Sequence, residues 1–221
     1  SIESSLMATL RSEGKFITVE GGAGAGKSTS REFIVELLDA RNIPFVQTRE
    51  PGGTALSEAL RSLLLTKEGP APSVEAELLM IFAARAQHLH EIIEPALVEG
   101  TWVLCDRFTD ATYAYQGFGR GYNLSAIELL EQMVQKGRHP DLTLLFDLDP
   151  GIGIERARKR AELDRFEEEE LAFFERVRDG YLTRARGNPR FVVIDAAQPV
   201  DAVQQALHKT LEPYVGSEFH G

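Results

Sequence analysis

The chain has 221 residues, 34 of them acidic and 24 basic, for a formal net charge of −10. This balance argues against non-specific binding to nucleic acid or to an anionic membrane surface, and the single cysteine, Cys105, excludes both a disulfide framework and a multi-cysteine metal site. With 43% hydrophobic residues the chain can bury a core without covalent staples, and no apolar run approaches the ~18 residues needed to span a bilayer.

In chain order, Phe16-Ile17-Thr18-Val19 is a short apolar run that stops at a glycine-rich turn and predicts a buried strand. Residues 27–41 carry Phe33, Ile34, Leu37 and Leu38 at helical spacing. A second strand is expected over 43–48, then a loop through Pro51-Gly52-Gly53 and a helix over 56–65. Ser73 is the expected N-cap of a long helix, 74–98, bent near Pro95. Strand three, from Trp102 to Cys105, ends at Asp106-Arg107, and a polar, aromatic stretch over 108–122 leads into a helix over 124–136. Strand four is expected over 142–148, followed by a basic helix over 152–160, an acidic segment over 162–170 and a helix over 171–184. Strand five (191–194) and a last helix (200–211) complete the pattern. Five apolar strands alternating with helices predict a parallel sheet covered on both faces. One domain over 14–213 is expected, with an N-terminal extension (1–13), a tail (214–221) and a lid near 156–168. Residues 1–13 show no leader pattern, so a cytoplasmic location is expected.

The sharpest motif is Gly21-Gly22-Ala23-Gly24-Ala25-Gly26-Lys27-Ser28, which fits G-x-x-x-x-G-K-[ST] between a strand and a helix. Glycines let successive N–H groups curl around phosphate oxygens, the helix beginning at Lys27 adds its positive end, Lys27 neutralises phosphate charge and Ser28 offers a hydroxyl to Mg²⁺. A glycine-rich turn joining strand to helix is the plainer explanation, but motif, flanks and order agree on nucleotide binding. Asp106 and Arg107 fall at the C-terminal edge of a parallel strand, where ligands of open α/β sheets lie. There an Asp can hold Mg²⁺ through water and an Arg can fork onto a phosphate; a surface ion pair is the bland alternative. Arg49 follows another strand to the same edge. Arg156, Arg158 and Arg160 form a basic run with Arg156 and Arg160 on one helical face. Such runs are usually solvated, yet phosphoryl transfer requires cations over the migrating charge.

Taken in order, residues 16–29 (FITVEGGAGAGKST), 48–54 (TREPGGT), 82–87 (FAARAQ), 106–116 (DRFTDATYAYQ) and 163–167 (LDRFE) resemble the bacterial thymidylate kinases over nearly the whole chain. The resemblance implies a three-layer α/β P-loop fold with a five-stranded parallel sheet and a short lid. It also implies transfer of the ATP γ-phosphoryl group to dTMP, Mg²⁺ as cofactor and a homodimer. By the same resemblance, Gly21 to Ser28 and Thr29 bind ATP, with Lys27 catalytic and Ser28 and Asp106 near the metal. Arg107 and Arg49 grip the acceptor phosphate. Glu50, Phe82, Arg85, Thr112, Tyr115 and Gln116 contact the acceptor, with Phe82 the candidate to stack on the base. The P-loop carries no cation at its variable positions and the lid is rich in arginine, so Arg156, Arg158 and Arg160 are the candidate lid cations. Ala23 stands where relatives place a carboxylate toward the acceptor sugar. A P-loop kinase of another nucleotide or nucleoside, and a P-loop switch or ATPase, stay open as alternatives; no Asn-Lys-x-Asp segment for guanine reading is present.

Overall fold

The computed structural model describes residues 12–216. Most of the expected N-terminal extension, and the tail beyond 216, therefore lie outside the described residues. Strands β1 (Phe16–Gly21), β2 (Phe45–Arg49), β3 (Trp102–Asp106), β4 (Leu142–Asp147) and β5 (Phe191–Asp195) form one sheet in the order β2-β3-β1-β4-β5. All four pairings are parallel, as expected from the alternation of strands and helices. β1 is buried along its full length, because a central strand of such a sheet meets a helical layer on each face. β2 starts later than the sequence suggests: the Ile43 N–H donates to Leu38 O and so closes the preceding helix rather than opening a strand.

The helices are α1 (Lys27–Ala40), α2 (Ala55–Leu65), α3 (Val74–His88), α4 (Glu94–Val98), α5 (Thr109–Thr112), α6 (Leu124–Gln135), α7 (Pro150–Arg160), α8 (Leu171–Ala185) and α9 (Val200–Gly216). Several start on side-chain caps. Thr54 accepts from Ser57 N–H, Ser73 from Ala76 N–H, and Asp149 from Gly151 and Ile152 N–H. The bend expected near Pro95 is replaced by a π-helical segment, Leu89–Ile93, that joins α3 to α4, with Pro95 in the first turn of α4 where its missing N–H costs little. The stretch after β3 is also more ordered than its polar composition suggests: α5 continues into a π-helical segment, Tyr113–Gly119, that is mostly buried. α9 outruns its expected end because Val203, Leu207, Leu211 and Val215 continue one buried stripe at four-residue spacing.

One sheet face packs Ile17, Val19, Leu144 and Phe146 against Ile34 and Leu38 of α1 and Leu207 and Leu211 of α9. The other packs Val103 and Cys105 against Leu89, Ile93 and Leu97, and Leu145 against Phe173, Phe174, Val177 and Tyr181 of α8. Both faces leave the C-terminal strand ends open. β1 is flanked by β3 on one side and β4 on the other, so the connections part there and leave a crevice. The loops after β1, β2 and β3 all empty into it.

Candidate active site

The loop after β1 turns back through Gly24 and Gly26, both in the left-handed region at φ +72° and +74°, which only glycine occupies cheaply. A Cβ on Gly24 would lie 2.0 Å from Gly153 O, so the loop rests backbone-on-backbone against α7. The first turn of α1 has no acidic residue and no side-chain cap. Its N–H groups and its positive dipole end therefore face the cleft without a competing anion from the helix itself.

Three cations surround one carboxylate beside this loop. Lys27 Nζ donates to Asp106 Oδ1 at 3.0 Å, and Arg31 lies 3.5 Å from Asp106 Oδ2. Burial works to raise the Asp106 carboxyl, but Lys27, Arg107 and Arg31 override it and hold it down at about 2. Burial, with help from Arg107, pushes the Lys27 ammonium down to about 8, against the pull of Asp106 and Glu20. A polyphosphate entering the cleft would add the negative charge that restores it. Arg107 has φ 68°, a conformation uncommon outside glycine. The turn is held from both ends: Arg107 N–H donates to Val19 O (2.9 Å) and Phe108 N–H to Glu20 Oε1 (2.7 Å). Glu20 also accepts from Tyr181 OH at 2.7 Å. Its burial, reinforced by nearby Asp110, raises its carboxyl to about 7. The result aims the Arg107 guanidinium across the ring of Tyr115, 4.9 Å from its centroid.

A second cavity opens beside the first and is lined by Glu50, Ile81, Arg85, Phe108, Thr112 and Gln116, among others. Arg85 is 3% exposed. It donates from Nε to Glu50 Oε1 (2.6 Å) and from Nη1 to Thr112 Oγ1 (2.9 Å), with its guanidinium 5.2 Å from the Phe108 ring. The other Glu50 oxygen is hydrogen-bonded to His88 Nδ1 at 2.7 Å, and His88 Nε2 to Thr48 Oγ1 at 2.7 Å. Each oxygen of the buried Glu50 carboxylate thus has one partner within the fold, Arg85 on one and His88 on the other. The contact with Glu50 fixes the Arg85 guanidinium at the wall of this cavity. Glu50, Pro51, Arg107, Tyr115 and Phe166 line both this cavity and the P-loop cleft.

Comparison with known proteins agrees with this geometry. Residues 19–207 match the family model described as thymidylate kinase. The chain belongs to the thymidylate kinase family. It is 56% identical over 203 residues to the thymidylate kinase of Teredinibacter turnerae, covering 91% of this chain and 99% of that protein. It is 55% identical over 199 residues to that of Pseudomonas entomophila, covering 90% and 95%. The crystal structure of thymidylate kinase from Ehrlichia chaffeensis superposes with a TM-score of 0.72 at 35% identity, covering 90% of this chain and 99% of that one.

On this thymidylate kinase fold, the P-loop residues from Gly22 to Ser28, together with Asp106, Arg107 and Arg160, line one cleft. Arg85, Glu50, Thr112, Tyr115 and Gln116 converge on the adjoining pocket. Other expected residues are placed differently. Phe82 packs with Leu78, Tyr113 and Ile127, behind Arg85, and Ile81 takes the pocket wall; one residue is a step of about 100° around a helix. Arg49 turns to Glu58, with Nη2 2.9 Å from Oε2, and Arg61 stands in the cleft instead, donating to Pro51 O at 2.9 Å. Arg156 and Arg158 are exposed on α7 outside the cleft lining, and Arg160, also exposed, reaches it from the end of the helix. Sequence reasoning missed Arg31, Arg61 and His88. Arg31 had a signal, since it lies four residues after Lys27 on the same face of α1. Arg61 sits inside α2 and His88 at the end of α3, and nothing local marks either.

Proposed function

We propose that the protein transfers the γ-phosphoryl group of ATP to dTMP, giving dTDP and ADP. The observation that carries this reading is the shared wall. Arg107 lines both the P-loop cleft and the Arg85 pocket, which puts a fixed cation where a phosphoryl group passing from a triphosphate to a monophosphate carries its charge. The P-loop amides and Lys27 bind the triphosphate. Arg107 and Arg61 receive the acceptor phosphate. Arg85, held by Glu50 and Thr112, and Gln116 offer donors to a base, between Phe108, Ile81 and the aromatic ring of Phe166. Arg160, at the cleft rim with Glu167 3.7 Å away, is the lid cation best placed to reach the transferred group.

Among the described residues no cluster of three or more acidic, His or Cys side chains could hold a metal alone. The Ser28 hydroxyl and Asp106 carboxylate at the P-loop do fit Mg²⁺, which keeps several waters and takes substrate phosphates as ligands. Bound there, Mg²⁺ would neutralise charge on the triphosphate. Exposed Leu79, Leu129 and Met133 on the adjacent helices α3 and α6 support a homodimer through that face. No helix among the described residues is long and apolar enough to cross a membrane, which is compatible with work in the cytoplasm. A coupled ADP-release assay over a nucleotide panel tests the reading. dTMP is expected to be the best acceptor, dUMP poorer and ribonucleotides much poorer. Equal turnover of UMP, CMP and dTMP would overturn it, as would slow ATP hydrolysis indifferent to any monophosphate.

A further inference from the structure

Glu77, on α3, is 1% exposed and lies outside both cavities, yet three groups from distant parts of the chain converge on it. Gln116 Nε2 donates to its Oε1 at 2.7 Å, Arg120 Nε to the same oxygen at 3.2 Å, and Arg165 Nη2 to Oε2 at 2.8 Å. Arg120 is also paired with Glu169, and Arg165 Nε donates to Leu64 O at 2.8 Å. Gln116 belongs to the wall of the Arg85 pocket, whereas Arg165 and Glu169 belong to the segment between α7 and α8. That segment is a folded turn: Asp164 Oδ1 accepts from Phe166 N–H and Glu167 N–H, and Glu167 Oε1 accepts from Asp164 N–H. Its tip residue, Phe166, lies between the two arginines that Glu77 gathers. The Arg165 guanidinium is 4.5 Å from the ring centroid and that of Arg120 is 5.4 Å. The ring meets Tyr115 edge-on at 6.1 Å and lines both cavities.

We propose that Glu77 is a positioning residue that fastens the lid to the acceptor pocket, holding Phe166 in place as the lid-side wall over the bound monophosphate. The proposal rests on the Arg85 pocket being the dTMP site. A carboxylate is needed because all three partners are donors and only an acceptor-only group can take them together. Glutamine keeps the shape, but its amide sets N–H against N–H on one side and removes the only carboxylate that Arg165 contacts at this hub. The turn then loses its seat, although neither the P-loop nor any group that lines the cleft has been changed. Lys67, which bridges Glu162 and Glu168 from the exposed edge, is too solvated to hold the turn by itself.

The test compares wild type with Glu77→Gln, Phe166→Ala and the double variant. Glu77→Gln is expected to raise KM for dTMP about tenfold, in line with loss of one buried charge-assisted contact, while KM for ATP stays within about twofold. Phe166→Ala should raise KM for dTMP by a similar factor, Phe166→Leu should recover most of that loss, and the double variant should be no worse for dTMP than the worse single. Trypsin supplies a readout that a purely structural role would not move. Saturating dTMP should shield the arginine-rich lid of the wild type from cleavage and fail to shield that of Glu77→Gln at its own saturating concentration. If Glu77→Gln does not fold, Arg165→Met removes the lid partner but leaves Glu77 with Gln116 and Arg120, and it carries the same expectations. Unchanged KM for dTMP with full protection, or additive effects in the double variant, would overturn the proposal. A wild type that does not bind dTMP would instead overturn the parent reading, and this proposal with it.

Discussion

Gly153 offers a test in which two physical effects have opposite signs. It sits inside α7 with no left-handed backbone to maintain, so helix propensity alone would favour Ala by ~1 kcal/mol. The space argues the other way. A Cβ at Gly153 would lie 2.2 Å from Ala23 O, a backbone atom of the P-loop that cannot rotate aside. Reaching ordinary contact requires the loop and helix to separate by about 1 Å, and overpacking of this kind costs about 1–3 kcal/mol. Set against the ~1 kcal/mol gain in helix propensity, Gly153→Ala should destabilise by up to about 2 kcal/mol net, lowering Tm by up to roughly 8 °C for a chain of this size. Displacement should also show in catalysis, because the same shift moves the triphosphate cradle and the helix that ends at Arg160. A misplacement of ~1 Å can cost up to ~10²-fold, so kcat/KM for ATP is expected to fall at least tenfold, with KM for dTMP less affected. Thermal unfolding and steady-state kinetics with each substrate varied decide it. A variant as stable as wild type, with unchanged ATP kinetics, would refute the backbone seating of the P-loop on α7.

Lys27→Ala should lower kcat by ~10²-fold or more while leaving the thermal transition in place, since the side chain serves charge at the cleft rather than core packing; wild-type turnover would contradict its role. Arg160→Ala should lower kcat more than it raises either KM, and Arg156→Ala and Arg158→Ala should leave kcat nearly unchanged, because only Arg160 lines the cleft. Glu20 holds its proton up to about 7 in the folded chain against 4.5 in the unfolded chain, so the folded state binds more protons in that window and stability falls as pH rises through it. Glu20→Gln removes this titration, and urea unfolding between about pH 5 and 8 should give a flatter stability profile for the variant; equal slopes would disprove the assignment. Cys105 is fully buried, and burial raises its thiol well above the ordinary range, so a thiol reagent should label it only at the rate of unfolding.

Sequence alone determined whatever is local in the chain. The strand, P-loop and α1 succession was legible because glycine freedom, apolar period and helix start act over a few residues. The Ser73 cap was legible for the same reason, and so was the alternation that implies a parallel sheet. The resemblance carried the family, and it singled out Arg85, Thr112, Tyr115 and Gln116, which the fold brings to one pocket. Tertiary structure alone decided which side chains meet. It turned Ile81 rather than Phe82 to the pocket, paired Arg49 with Glu58 and put Arg61 in the cleft. It also ordered the stretch after β3 into helix, because its aromatic rings and Thr112 are buried by α3 and α8. The bonds that shape the site, such as Tyr181 to Glu20 or Arg165 to Glu77, join residues 161 and 88 positions apart. No short window of sequence contains both partners of such a bond, and each forms only once the sheet has brought its helices together.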